Sequence, residues 1–460
     1  MPSSLRHKAV LATLLSAASA FAAAAEPAGP NTTIHQAQID QIVREISPQR
    51  IKATIDKLVS FGTRHTMSDT KSDTRGIGAA RRWIKSELER CGAAAGGRLQ
   101  VEFDGHLHPV APRLAVPTEI VNVVATLPGT QPESKERIYV VSGHYDSRAS
   151  DVNDFTSDAP GANDDASGSA AVMEMACVMA KYKFDATLVF MTVAAEEQGL
   201  YGAAHFAEQA KLKKLNIAGM FTNDIIGSSR SDTGKIDNRQ VRLFAEGIPP
   251  LKDMPDNLRQ LLTTGGESDM PTRQLARHVK EIGERYVDNF KVTIVYRRDR
   301  YLRGGDHSPF LDQGFAALRF TEPAEDFDHQ HQNVRMEDGK QIGDLAQFVD
   351  PDYIAQVARV NAASLASLAL APAAPQKVQV RTSKLDNDSE LLWQANGEPD
   401  LAGYRIVWRD TTSPHWQGSQ YVGKVTGTIV KLSKDNVIFG VQAIDKDGNA
   451  SPASYPTPVR

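Results

Sequence analysis

Two rhythms of apolar residues alternate along most of this chain. Short runs rich in β-branched and aromatic residues occupy 99–104, 120–127, 137–142, 186–195, 218–226, 241–247, 291–297 and 315–321. Runs of this length, bounded by Gly, Pro or acidic residues, predict strands. Around them, apolar residues recur at helical period in 34–46, 50–61, 75–91, 167–181, 271–286 and 352–370. In 75–91, Ile77, Ala80, Trp83, Ile84 and Leu88 form one stripe, and Gly92 closes the segment. Nearly continuous apolar strands in succession with such helices predict an α/β domain, its central sheet flanked by helices.

Past residue 370 the rhythm changes. A Pro and Ala linker, 371–376 (APAAPQ), leads into short alternating strands separated by turns over 377–460. That pattern predicts a small all-β sandwich with Leu392, Trp393, Tyr404, Ile406, Trp408 and Val441 in its core. Trp416 reads as a single exposed aromatic, with ligand binding as the alternative. At the other end, 1–25 has a basic start at Arg6 and Lys8, an apolar centre and small residues before Glu26. This reads as a signal peptide, followed by a polar lead over 26–45. The expected location is therefore secreted or periplasmic, and no later stretch is apolar enough to span a membrane.

Composition narrows the partners. The chain has 460 residues, of which 41% are apolar and 23% charged, so more than one domain is expected. A net charge of -4 provides no basic field for nucleic acid, and that class of partner is dropped. Cys91 and Cys177 are the two cysteines. In an oxidising compartment they either pair or leave Cys177 as a buried thiol, and spacing alone leaves both open.

Candidate chemistry is concentrated in 143–199. Three motifs, GHYDSR, GANDDASG and AAEEQG, bring His144, Asp146, Asp164, Asp165, Glu196 and Glu197 into one short span. His144 follows one predicted strand, Glu196 and Glu197 another, and Asp224 ends a third. Carboxyl ends of strands are where open α/β sheets bind ligands. Imidazole and carboxylate ligands suit zinc, and one carboxylate with two oxygens, Asp164, can bridge a pair of ions. Glu196, beside the ligand Glu197, is positioned as general base, and Asp146 as the group that orients the His144 ring. His65 reads as a satisfied loop histidine. Arg297, Arg298, Arg300 and Arg303 read either as a solvated basic edge or as a clamp for a substrate carboxylate.

In order, GHYDS, APGANDDASG, AAEEQGLYG, NDIIG and GGDHSPF with a following histidine resemble the M28 family of co-catalytic zinc peptidases, over roughly 46–370. The resemblance implies a mixed, largely parallel sheet and two zinc ions per chain. His144 and Asp224 would hold one ion, Glu197 and a late histidine the other, with Asp164 bridging and Glu196 as base. It also implies a cis Asp164–Asp165 peptide. The family pattern has an acidic residue four positions after the late histidine; here that position is Asn333 counted from His329, and Arg335 counted from His331. His329 is taken as the ligand, with His331 as its substitute. The implied activity is exopeptidase, with peptide or protein N-termini as substrate. A carboxypeptidase of the same fold, a non-catalytic binding protein and a cyclase of N-terminal glutamine are the alternatives. The segment 377–460 resembles a fibronectin type III module, whose implied role is spacing or attachment.

Overall fold

The computed structural model describes residues 29–249, 255–384 and 386–460. The expected signal peptide lies outside the described residues, as does part of the polar stretch 248–266. Eight strands build one sheet: β1 (Gln100–His108), β2 (Thr118–Leu127), β3 (Arg137–His144), β4 (Thr187–Val193), β5 (Asn216–Asn223), β6 (Gln240–Ala245), β7 (Lys291–Val295) and β8 (Ala317–Thr321). Their order is β1-β2-β4-β3-β5-β8-β6-β7. The centre, β4-β3-β5-β8, is parallel throughout; β1 and β2 join antiparallel to their neighbours, and β6 is antiparallel to β8 but parallel to β7. The sheet is therefore mixed, as expected, and each predicted strand lies in it.

Both faces of the central strands are buried, which is why these strands are apolar at consecutive positions rather than at alternate ones. Val141, Phe190 and Phe221 face one core with the helices Pro48–Val59, Ala166–Met179 and Pro351–Leu370. Val140, Val189 and Met220 face the other with the helices Tyr201–Leu212 and His307–Asp312. Each large apolar side chain buried in this way contributes about 2 kcal/mol. These last two helices are not among the predicted elements, because the apolar positions of the first are mostly alanine and the second is only six residues long.

The helix Ala166–Met179 carries the NDD loop at its N-terminus. Asp165 caps it, accepting from Gly168 N at 2.8 Å, and also accepts from His144 N at 3.0 Å. A Cβ at Gly143 would come within 2.4 Å of the Gly168 carbonyl carbon, so the strand end and the helix touch backbone to backbone. Cys91 and Cys177 form a disulfide, with Cα atoms 5.0 Å apart and a sequence separation of 86. It ties this helix to Gly76–Ala94; in the chain-entropy account a loop of that length is worth about 4–5 kcal/mol.

Residues beyond the linker form a four-stranded and a three-stranded sheet around Val380, Trp393, Tyr404, Ile406 and Val441. Leu391 rather than Leu392 faces this core, because the alternation along Ser389–Gln394 runs one residue out of phase with the expectation. This part is docked on the sheet domain, not held at a distance from it. Asp269, fully buried, meets Arg409 at 2.6 Å and Arg277 at 3.2 Å, and Arg277 Nε donates to Pro414 O. Trp416 lies over both guanidiniums, a packing role at the junction that the sequence did not reveal.

Candidate metal centre

Three parallel strand ends converge. β3 brings His144, the turn after β4 brings Glu196 and Glu197, β5 leads into Asp224, and the NDD loop brings Asp164 alongside. The Asp164–Asp165 peptide is cis. Two groups of ligand atoms result, His144 with Glu196 and Asp224, and Asp164 with Glu197 and His331. Asp164 reaches both: one oxygen lies 3.0 Å from His144 Nε2 and the other 2.7 Å from His331 Nε2. His331 Nε2 is also 3.0 Å from Glu197 Oε1.

The late histidine is where structure and expectation part. His329 turns away: its Nδ1 is 2.8 Å from Asp326, and its ring stacks on Phe348 with centroids 3.7 Å apart. The backbone at His331 is left-handed, with φ of 56°, and this local turn sends the second histidine toward Asp164 and Glu197. Spacing to a downstream acidic residue could not register that turn. His331, the substitute, takes the place assigned to His329.

Asp146 sits behind the cluster, fully buried. Its backbone oxygen lies 3.1 Å from His144 Nδ1, and its carboxylate accepts from Glu196 N at 3.3 Å and Glu197 N at 3.2 Å. That fixes the ring so that Nε2 faces the cluster, and fixes the turn carrying both glutamates. His65 is satisfied in its loop, as expected, with Nε2 2.9 Å from Val152 O.

Several positioning groups escaped the motif reading. Asp344 accepts from Asn163 N and Asp164 N, both at 2.8 Å, so one carboxylate holds the NDD loop. Arg64, fully buried, donates to Tyr145, Pro160 and Gly161 carbonyls on that loop's other side. Arg319 lies 2.9 Å from Asp224 and 3.0 Å from Asp299. Each is far in sequence from what it holds, and the only available signal was a charge inside an apolar strand, as at Arg319 in FAALRFT.

Electrostatics follow from dense burial. Burial pushes the His144 imidazole down, but Asp146, Asp164 and Asp224 outweigh it and hold it well above its ordinary range. Burial raises the Glu196 carboxyl well above its ordinary range, with Asp224 and Glu197 adding to it against the pull of His144. Asp306, in the GGDHSPF turn, is buried with neither oxygen hydrogen-bonded, and burial pushes it up to about 8. Most telling for a metal, His144 Nε2 and Glu197 Oε1 are buried without a hydrogen-bond partner. Buried ligand atoms without a well-formed hydrogen bond, each 3.0 Å from another ligand atom in a set of imidazoles and carboxylates, fit divalent zinc.

Comparison with known proteins agrees with this geometry. The model of peptidase family M28 matches residues 122–350. A protein of Leptosphaeria maculans named as a probable zinc metalloprotease is 49% identical over 421 residues, covering 92% of this chain and 97% of its own length. A second of that name, from Pyricularia oryzae, is 49% identical over 427 residues, covering 92% and 85%. Among solved structures, the LapA aminopeptidase of Legionella pneumophila superposes with a TM-score of 0.51 at 19% identity, covering 75% of this chain and 78% of that one. LapB from the same organism gives 0.52 at 18%, with the same coverage. These two likenesses are of fold.

Proposed function

This chain belongs to peptidase family M28 and is a zinc metallopeptidase, and from that premise we propose that it holds two zinc ions and removes residues from the N-termini of peptides. The observation that carries the two-ion reading is Asp164, whose two oxygens are divided between His144 and His331. Zinc held by His144 with Asp224, and by Glu197 with His331, would supply Lewis-acid polarisation of the scissile carbonyl and a water acidified toward neutrality.

The chain's own groups do the rest. Glu196 is half-buried beside the cluster. It takes the proton of the attacking water and returns it to the leaving amine. Asp146 keeps His144 Nε2 turned to the cluster and holds the Glu196 backbone in place. Arg319 holds Asp224 at its second oxygen, so the carboxylate keeps one direction. The name aminopeptidase carried by LapA supports N-terminal over C-terminal removal. The carboxypeptidase reading has one observation in its favour, the arginines Arg300 and Arg303 lining the same cavity.

The test uses zinc-loaded and chelator-stripped protein on one tetrapeptide with both ends free and on copies blocked at one end, with products read by mass spectrometry. Zinc-dependent loss of the first residue, stopped by an amine block alone, is the expected result. Loss of the last residue overturns it in favour of carboxypeptidase activity. We further infer export after cleavage near Ala25, which N-terminal sequencing of the mature protein checks. The C-terminal sheets are proposed as a fibronectin type III-like module that braces the peptidase domain.

A further inference from the structure

The cavity above the metal centre, about 310 Å³, is lined by Asp164, Glu196, Glu197, Asp224 and His331, and also by five arginines. The carboxylates are matched by two zinc ions on the reading above, on which this inference rests. The arginines are not matched. Glu325 alone receives Arg242 at 2.7 Å, Arg300 at 3.0 Å and Arg303 at 2.7 Å, so one negative charge faces three positive ones. Arg300 also reaches Asp299, but Asp299 is shared with Arg319, which Asp224 shares in turn. On the other side, Arg113 donates to the Glu197 carbonyl, and Arg148 to the carbonyls of Ala149 and Ser150, with one Nη 4.0 Å from the Glu197 carboxylate that the zinc reading already assigns to a metal. Carbonyls orient a guanidinium without neutralising it. A guanidinium cannot shed its proton, so the excess stays at any working pH.

We propose that this wall is a carboxylate subsite and that the preferred substrate carries a carboxylate close to the scissile bond, with Arg303 as its principal anchor. Arg303 is the exposed member of the Glu325 group, and a single one of its nitrogens is engaged there, so the remainder of its planar fork is available for a second carboxylate. Arg300, behind it, is mostly buried and holds Asp299 and Glu325, which fixes the wall. The carboxylate comes either from the peptide's free C-terminus or from an acidic side chain beside the cleaved bond.

Binding measured apart from turnover tests this. Zinc-loaded Glu196→Gln protein is titrated calorimetrically with a neutral tripeptide amide, its free acid, and amides bearing Glu at the first or the second position. The expected result is at least about tenfold tighter binding of one carboxylate-bearing peptide than of the neutral amide, the size of one charge-assisted hydrogen bond. Which peptide gains identifies the source of the carboxylate. In the Glu196→Gln, Arg303→Ala protein the gain should disappear, while Arg303→Lys should keep part of it. Arg242 and Arg300 still hold Glu325 in either variant, and a thermal melt confirms the fold. Equal affinities for all four peptides, or a gain that survives Arg303→Ala, overturns the proposal. Wild-type cleavage of the neutral amide tests the peptidase reading separately: a protein that binds with the expected preference but cleaves nothing refutes that reading alone.

Discussion

The metal centre and the domain junction both bury acidic side chains, and they solve the cost of doing so in opposite ways. At the junction, Asp269 is fully buried and meets Arg277 and Arg409, one from each side of the boundary. The charges and the hydrogen bonds are supplied by the protein. At the centre, Asp164, Glu197 and Asp224 are almost as buried, with Glu196 beside them, but their close neighbours are the imidazoles of His144 and His331 and further carboxylates, with one guanidinium, Arg319, on Asp224. An ion pair locks a structure, whereas a cluster richer in carboxylates than in fixed cations suits a divalent cation. The difference separates an acid that holds domains together from acids arranged as candidate zinc ligands.

Substitutions can break or sharpen that comparison. Glu196→Gln should lower kcat by ~10²–10⁴-fold, the usual worth of a general base, with zinc content unchanged. Loss of one zinc per chain instead, read by metal analysis, would make Glu196 a ligand, since its carboxylate already lies within reach of His144 and Asp224. Asp269→Ala should leave two buried guanidiniums unpaired and cost ~3–5 kcal/mol of stability in denaturant unfolding, with kcat of the folded fraction untouched. A chain ended near Ala371 should show the same loss, because it removes Arg409 from Asp269.

Next in size, His331→Ala should weaken one zinc by at least ~10–100-fold, the range found for perturbed metal sites, while His329→Ala keeps both. Equal loss in the two variants, read by metal content after dialysis, would refute the assignment made from the left-handed turn at His331. The smallest effect concerns Asp185, beside the junction, which burial together with Asp400 and Asp445 pushes up to about 6. A raised carboxyl favours the protonated form in the fold. Its contribution is therefore complete below its ordinary range near 4 and is lost as pH rises through about 6. Asp185→Asn should raise Tm relative to wild type at pH 8 by an amount worth up to about 1 kcal/mol, discounted for solvent screening, and the gain should vanish near pH 4.

Much of the centre was legible because its chemistry is local in sequence. His144, Asp164, Glu196, Glu197 and Asp224 each follow an apolar strand or open a helix, so pattern and residue type reinforce one another. The late histidine was not legible, because its assignment depends on one backbone angle in a loop. Nor were Arg64, Asp344 and Arg319, whose partners at the site lie 81 to 181 residues away for the first two and 95 for Arg319 and Asp224 (319 minus 224). Leu392 was assigned to the core in place of Leu391 because a strand with period two gives no purchase on phase when both neighbours are leucine.

The sequence by itself determined the alternation of strands and helices, the mixed α/β sheet, the signature of a zinc peptidase and the separate all-β tail. Those depend on residue type and period, which are properties of short segments. Only the tertiary structure decided which histidine meets Asp164, that Cys91 bonds Cys177, that the tail is bolted to the sheet domain through Asp269, and that Arg242, Arg300 and Arg303 share one carboxylate, Glu325. These depend on distances between segments far apart in the chain, and spacing along the chain does not encode distance in space.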